Sequence, residues 1–215
     1  MPARTNEFAT TLCHSPSQAY NLAKGTLLND PRSNILLPTL EKACEKERRG
    51  ILPQTDEFWI ILHTTSNPTQ VDFVLSCTSG VVGKYPIFIF SRRFENELHP
   101  DFLEPRMYQL VRKLTNAVSS RRVYSVFAVQ PVSGTFARHW SEATGIASYS
   151  EPYYDSWFSF CTSNTLAGAL QNDPSLNIRL AVEGDIRQVA SLCKGFSEES
   201  VSRQPFTAPY TSNTP

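Results

Sequence analysis

The sequence predicts an α/β protein whose mixed, mostly antiparallel central sheet is flanked by helices. Three observations carry that prediction. Residues 57–90, EFWIILHTTSNPTQVDFVLSCTSGVVGKYPIFIF, contain three short runs rich in β-branched and aromatic residues, separated by turn-forming segments. The segments on either side carry apolar residues at helical spacing. A fourth apolar run, RVYSVFAV, follows a helical pattern that itself follows a strand, which makes a parallel crossover unit.

In chain order, residues 7–29 place Phe8, Leu12, Tyr20, Ala23 and Leu27 at helical spacing, with Pro16 breaking or starting a helix near that point. A second helix is predicted over 36–49. Leu36, Leu40, Ala43 and Cys44 give it an apolar stripe, Glu41, Lys42, Glu45 and Lys46 a polar face, and Gly50 a stop. Both helices are expected to precede the sheet. The runs 58–63 and 71–77 pair as an antiparallel hairpin, because Asn67-Pro68 between them favours a turn. Run 87–90 is nearly all apolar, as a strand buried on both faces requires, and Pro86 fits only as its opening residue.

The next helix is predicted over 101–119, with Leu103, Met107, Leu110, Leu114 and Ala117 on one side and Pro105 in its first turn. A strand over 122–129, a helix over 134–144 with Phe136, Trp140 and Ala143 inward, and a strand over 153–161 complete a first domain, 1–161. Residues 162–177 read as a linker. A short strand at 178–182 and a helix at 185–196, with Ile186, Val189, Ala190 and Cys193 at helical spacing, read as the opening of a second unit, 178–204. One strand and one helix cannot bury a core, so that unit is expected to be incomplete. Residues 205–215 lack periodicity and are expected to be disordered.

The 215 residues carry 20 basic and 20 acidic side chains. That balance argues against a nucleic-acid partner, which would call for a basic excess or stripe. The pairs Arg48-Arg49, Arg92-Arg93 and Arg121-Arg122 are scattered among acids and read as solvated faces or helix ends. No apolar run reaches the roughly 20 residues a membrane helix needs, and the opening residues lack the apolar core of a signal peptide. A cytoplasmic protein without membrane partners is the expectation. Its five cysteines are widely separated with no CxxC, and its four histidines stand alone, so neither a disulfide framework nor a metal site is expected.

Two stretches carry a family resemblance. The segment LNIRLAVEGDIRQVASLCKGFSEESV matches, at Ile178, Arg179, Ala181 and Asp185, an I-R-x-A-x-x-x-D pattern common in the opening strand and first helix of one superfamily. The segment FARHWSEATGIASYSEPYYD places Gly145-Ile146 where that family's penultimate helix usually gives way, at Gly-Phe, to the final strands. On these residues, and on the order of its elements, the chain resembles the GNAT N-acetyltransferases, in particular fungal-type two-domain acyltransferases. Residues 7–161 look like one diverged copy and the residues from 176 like the first third of another. The resemblance implies acetyl-CoA as cosubstrate, no metal, and a small-molecule amine or a peptide as acyl acceptor.

It also implies parts that the sequence lacks. The family's pyrophosphate loop, R/Q-x-x-G-x-G/A after the fourth strand, offers amide N–H groups at a helix N-terminus. Here the strand 87–90 is followed by SRRFENELHP, without glycine. Trp140 occupies the position of the frequent catalytic tyrosine, and an indole cannot act as a general acid. Tyr153 and Tyr154 are the candidates to replace it, a buried aromatic pair being the alternative. The class activity is therefore acetyl transfer, with this chain expected to be catalytically incomplete. The alternative is a noncatalytic binding or scaffolding module, with a protein partner covering the unfinished second domain; a truncated gene product is a third reading.

Other signals are weaker. Ser79-Gly80-Val81-Val82-Gly83-Lys84 lacks the spacing of a phosphate loop, and its glycines suit a turn between strands. His63 has no acid nearby in sequence to orient it and reads as a core or edge histidine. Glu57 and Asp155, at predicted strand ends, could line a cleft that accepts an amine or could be solvated.

Overall fold

In the computed structural model, residues 8–65, 70–80, 83–152, 154–157 and 179–201 are described. By its internal contacts the chain divides into one unit, Met1–Cys161, and a second, Thr162–Pro215.

The first unit is built on a five-stranded sheet whose strands lie in the order β1 (Phe8–Cys13), β2 (Phe58–Thr64), β3 (Val71–Cys77), β6 (Ile87–Ser91) and β7 (Val126–Phe127). The hairpin expected at its centre is present: β2 (Phe58–Thr64) pairs antiparallel with β3 (Val71–Cys77), and β3 with β6 (Ile87–Ser91). Every residue of β3 is buried, as its near-continuous apolar sequence demands. In the 79–84 stretch β4 (Ser79–Gly80) pairs antiparallel with β5 (Gly83–Lys84) as a small separate sheet. A Cβ at Gly80 would lie 2.1 Å from the Tyr85 hydroxyl oxygen, so a larger residue there has to displace that ring.

The first departure from expectation is at the N-terminal end. Phe8–Cys13 is a strand, β1, antiparallel to β2, and only Pro16–Leu27 is helical, as α1. Phe8 and Leu12 satisfy a period of two as well as a helical one, and both lie against the core face of the sheet. The sheet therefore begins before the helices. α1 starts at Pro16, with the Ser15 hydroxyl accepting from the Gln18 N–H at 3.2 Å. Its small buried residues Ala19 and Ala23, with Leu27, let it lie close on the sheet. α2 (Leu37–Arg48) follows as predicted.

α1 and α2 cover one face of the sheet, over Cys13, Trp59, Ile61, Val74 and Phe90. The other face is covered by α3 (Pro100–Ala117) and α4 (Gln130–Thr144). Leu103, Met107, Leu110 and Leu114 of α3 are buried at the spacing read from the sequence, each contributing about 1.5–3 kcal/mol. Pro105 lies inside α3 and not in its first turn, because Pro100 already occupies that turn. α4 begins four residues earlier than expected, at Gln130. Phe136 and Trp140 face inward; Ala143 is exposed. Gly145, with φ 73°, ends α4 in the left-handed region and its N–H donates to the Ser141 carbonyl at 2.9 Å.

The parallel crossover is present but short. β7 is only Val126–Phe127, paired with Ile87 and Phe88 of β6. The expected strand over 122–129 fails at its start because Ser120–Arg122 forms a 3₁₀ turn and Arg122 is buried, donating to backbone carbonyls. That burial also corrects its reading as a solvated residue. The expected strand over 153–161 is not formed in its described part: residues 154–157 have no regular structure, and Trp157 is 97% exposed.

In the second unit, 179–182 have no regular structure, so the expected strand is not formed in its described part. A 3₁₀ turn (Glu183–Asp185) leads into α5 (Ile186–Val201), longer than predicted. The Arg179 guanidinium grips Asp185 through two bonds of 2.6 and 2.8 Å, and Asp185 accepts from the Val182 N–H at 2.9 Å. The linker 162–177 and the tail 205–215 lie outside the described residues. No helix among the described residues is long and apolar enough to cross a membrane.

Candidate functional site

Where β6 leaves the sheet and α3 begins, the family resemblance calls for free amides that could donate to a pyrophosphate. Five of the loop's amides are already engaged. The Arg92 N–H donates to the Asp72 carbonyl at 3.2 Å, Arg93 to the Ser91 hydroxyl at 3.2 Å, and Phe94 to the Glu97 carboxylate at 3.0 Å. Glu97 and Leu98 donate to the Phe94 and Glu95 carbonyls at 2.9 and 3.1 Å. The loop turns carbonyls outward to Arg32, whose Nη1 and Nη2 donate to the Arg93 and Arg92 oxygens at 3.1 and 2.7 Å. Asp30 in turn grips Arg32 and is held below its ordinary carboxylate value by that guanidinium and the Arg32 N–H, against the opposing, largest effect of burial.

Beside the loop is a buried polar cluster. Asp72, 2% exposed, accepts from Arg106 Nε at 3.0 Å and from the Thr64 hydroxyl at 2.9 Å. Arg106 also donates to the Phe102 carbonyl at 3.2 Å and stacks on the Phe102 and Phe8 rings at 3.9 and 4.4 Å. Arg93 covers Phe102 as well, at 3.8 Å. These arginines are occupied in fastening α3 to the strand ends.

At the opposite end of the sheet, Arg122 donates to the Thr78 and Tyr85 carbonyls at 2.8 and 3.0 Å, and Asp56 pairs with Lys84 at 2.7 Å. The lysine that invited a phosphate-loop reading is thus an ion-pair partner. Burial pushes the nearby Cys77 thiol up to about 11.

The sequence-predicted residues do not converge. Trp140 is 6% exposed and stacks on Phe136 at 6.0 Å between centroids, in the core under α4, with its indole N–H unpaired. Tyr154 is 66% exposed, and Tyr153 lies outside the described residues. His63 is half-buried on β2. Glu57 is structural: its carboxylate accepts from the Ser79 and Gln54 N–H groups at 2.9 and 3.0 Å. Asp155 is exposed. An open groove of about 390 Å³ lies between α1 and α2, lined by Tyr20, Asn21, Glu41, Cys44 and Arg48 with Ser17. Among the described residues no three His, Cys, Asp or Glu side chains are grouped to hold a metal ion.

Sequence reasoning missed the Asp72–Arg106 and Arg32 contacts, which join residues far apart in the chain; a lone Asp in the apolar run VDFVLSC was the one available signal. No family model, no curated protein and no solved structure matches the chain.

Proposed function

We propose that this is a GNAT-like acyltransferase-family chain, whose class reaction moves an acetyl group from acetyl-CoA to an amine, and that as it stands it is catalytically incomplete. The order of elements supports the family reading. A strand, two helices, three antiparallel strands, a helix, a parallel strand and a helix follow one another, and β1 makes β6 the fourth strand of the main sheet. The observation that carries the incompleteness is the loop after β6. Five of its amides are spent on internal acceptors and its outward carbonyls face a guanidinium. Those residues do not fit a pyrophosphate, which needs free donors.

Calorimetric titration with acetyl-CoA, run beside thermal melting with and without it, tests the proposal, because binding to the folded state raises stability by mass action. No heat and no shift in melting temperature are expected. Saturable tight binding would sink the incomplete reading and call for acyl-transfer assays.

A second reading, a noncatalytic binding or scaffolding module, is favoured by α5. Its apolar stripe is exposed, with Ile186 61%, Val189 45% and Leu192 74% accessible. A protein partner lying on that stripe would make the chain concentration-dependent in its associations; a monomer by sedimentation that is silent in pull-downs counts against this reading.

A further inference from the structure

One row of side chains crosses the main sheet on the face that α1 and α2 cover. The register sets Cys13 opposite Trp59, Trp59 opposite Ser76, Ser76 opposite Phe88, and Phe88 opposite Phe127. Directly opposed residues share a face and have neighbouring Cβ atoms. Trp59 is 1% exposed and Ser76 fully buried, yet neither the indole N–H nor the hydroxyl has a hydrogen-bond partner. Thr78, which directly follows β3, is 6% exposed and its hydroxyl is likewise unpaired. Buried polar groups are almost always satisfied, and three neighbours left without partners require a reason.

The surroundings restrict what could supply the missing acceptor. Ile61, Val74 and Phe90 on the same face are apolar, and the Arg122 guanidinium at the Thr78 end already donates to the Thr78 and Tyr85 carbonyls. An anion there would be an uncompensated buried charge. An indole N–H only donates, and a serine or threonine hydroxyl can rotate to donate, so the set matches the two lone pairs of a neutral carbonyl oxygen. At the end of the row Phe88 and Phe127, both half-buried, meet edge to face with centroids 5.5 Å apart, where β6 and β7 hold together through only two residue pairs. They offer a flat apolar wall.

We propose that Trp59, Ser76 and Thr78 form a donor row that, with the Phe88–Phe127 pair as its wall, binds a small uncharged carbonyl compound with a flat apolar body, of the aromatic carboxamide class. The proposal goes beyond both functional readings and rests on neither α5 nor acetyl-CoA.

The test uses the whole chain labelled with ¹⁵N, with N-methylbenzamide as probe. Three tryptophans give three indole N–H resonances, of which Trp59→Phe identifies one. That resonance is expected to move saturably on titration, and Ser76→Ala to weaken the response at least tenfold. Because the Ser76 hydroxyl has no partner, Ser76→Ala is also expected to leave the melting temperature of the free protein unchanged or raised. Thr78→Val, which keeps the side-chain shape, gives a second variant with the same expectation. A Trp59 resonance that does not respond overturns the proposal. So does a fall of several degrees in the melting temperature of both variants, which would reveal an internal partner, or a long-lived water on the Trp59 N–H that the probe does not displace. Binding of acetyl-CoA, or loss of an α5 partner, would revise the functional reading while leaving these three readouts intact.

Discussion

Replacing Asp72 by alanine is expected to cost the first unit about 3 kcal/mol. The Asp72 side chain is 2% exposed and that of Arg106 9%, and they meet at 3.0 Å with the Thr64 hydroxyl as a further donor at 2.9 Å. Removing one partner of a buried pair strands the other charge, at about 3–5 kcal/mol. Arg106 keeps the Phe102 carbonyl at 3.2 Å and two ring faces, each worth about 0.5–1 kcal/mol or more, which puts the cost at the lower end of that range. Equilibrium unfolding in urea measures it. With a slope of about 2 kcal/mol/M the midpoint should fall by about 1.5 M, with the slope itself unchanged. Arg106→Met should cost a similar amount by stranding the carboxylate, and Asp72→Leu with Arg106→Met should cost less than the sum of the single changes. A shift below about 0.5 kcal/mol for Asp72→Ala would refute the reasoning, since it would mean that water already reaches the pair.

Three further outcomes are expected. Arg122→Met should destabilise by about 3 kcal/mol through loss of its bonds to the Thr78 and Tyr85 carbonyls, and Arg122→Lys should recover less than half, because a single ammonium cannot span both oxygens; melting curves of the two variants decide. Asp56 is held below its ordinary carboxylate value, first by the hydrogen bond from Lys84. Its contribution is therefore complete above the unfolded value and lost as pH falls through the lower folded one. With Lys84 more than half exposed this is worth less than about 1 kcal/mol, so Asp56→Asn should make the acid limb of stability slightly shallower, as should high salt in the parent chain. Among the cysteines of the described residues, peptide mapping after iodoacetamide should find Cys193 modified first and half-buried Cys44 later. Cys13 and Cys77, both pushed up to about 11 by burial, should be modified only on unfolding; early modification of Cys13 would contradict its cover by α1.

The elements legible in the sequence are those whose pattern has one solution. β2, β3 and β6 are dense in β-branched and aromatic residues, and α2 and α3 carry unbroken helical stripes. Phe8 and Leu12 were ambiguous, being four apart on a helix and on one face of a strand; pairing with β2, distant in sequence, decides for the strand. RVYSVFAV looked like a full strand, but Arg122 finds two buried carbonyls and the Tyr124 hydroxyl donates to the Lys84 carbonyl at 2.7 Å, which leaves two residues for the ladder. Local propensity carries no information about such partners. The same holds for the candidate site. The missing glycine after β6 was visible in the sequence, whereas the engagement of that loop by Arg32, and the unpaired donors at Trp59 and Ser76, exist only once the sheet is assembled.

The sheet order has a kinetic consequence. β2, β3 and β6 are neighbours in sequence as well as in space, so their meander can form by short loop closures. Each edge strand must instead wait for a helical excursion: β1 returns to β2 only around α1 and α2, and β7 reaches β6 only after α3. With two residue pairs, β7 contributes little until α3 and α4 have docked. Contacts at that edge therefore belong to the late part of assembly, and their strength sets how long the native state survives more than how quickly it is reached.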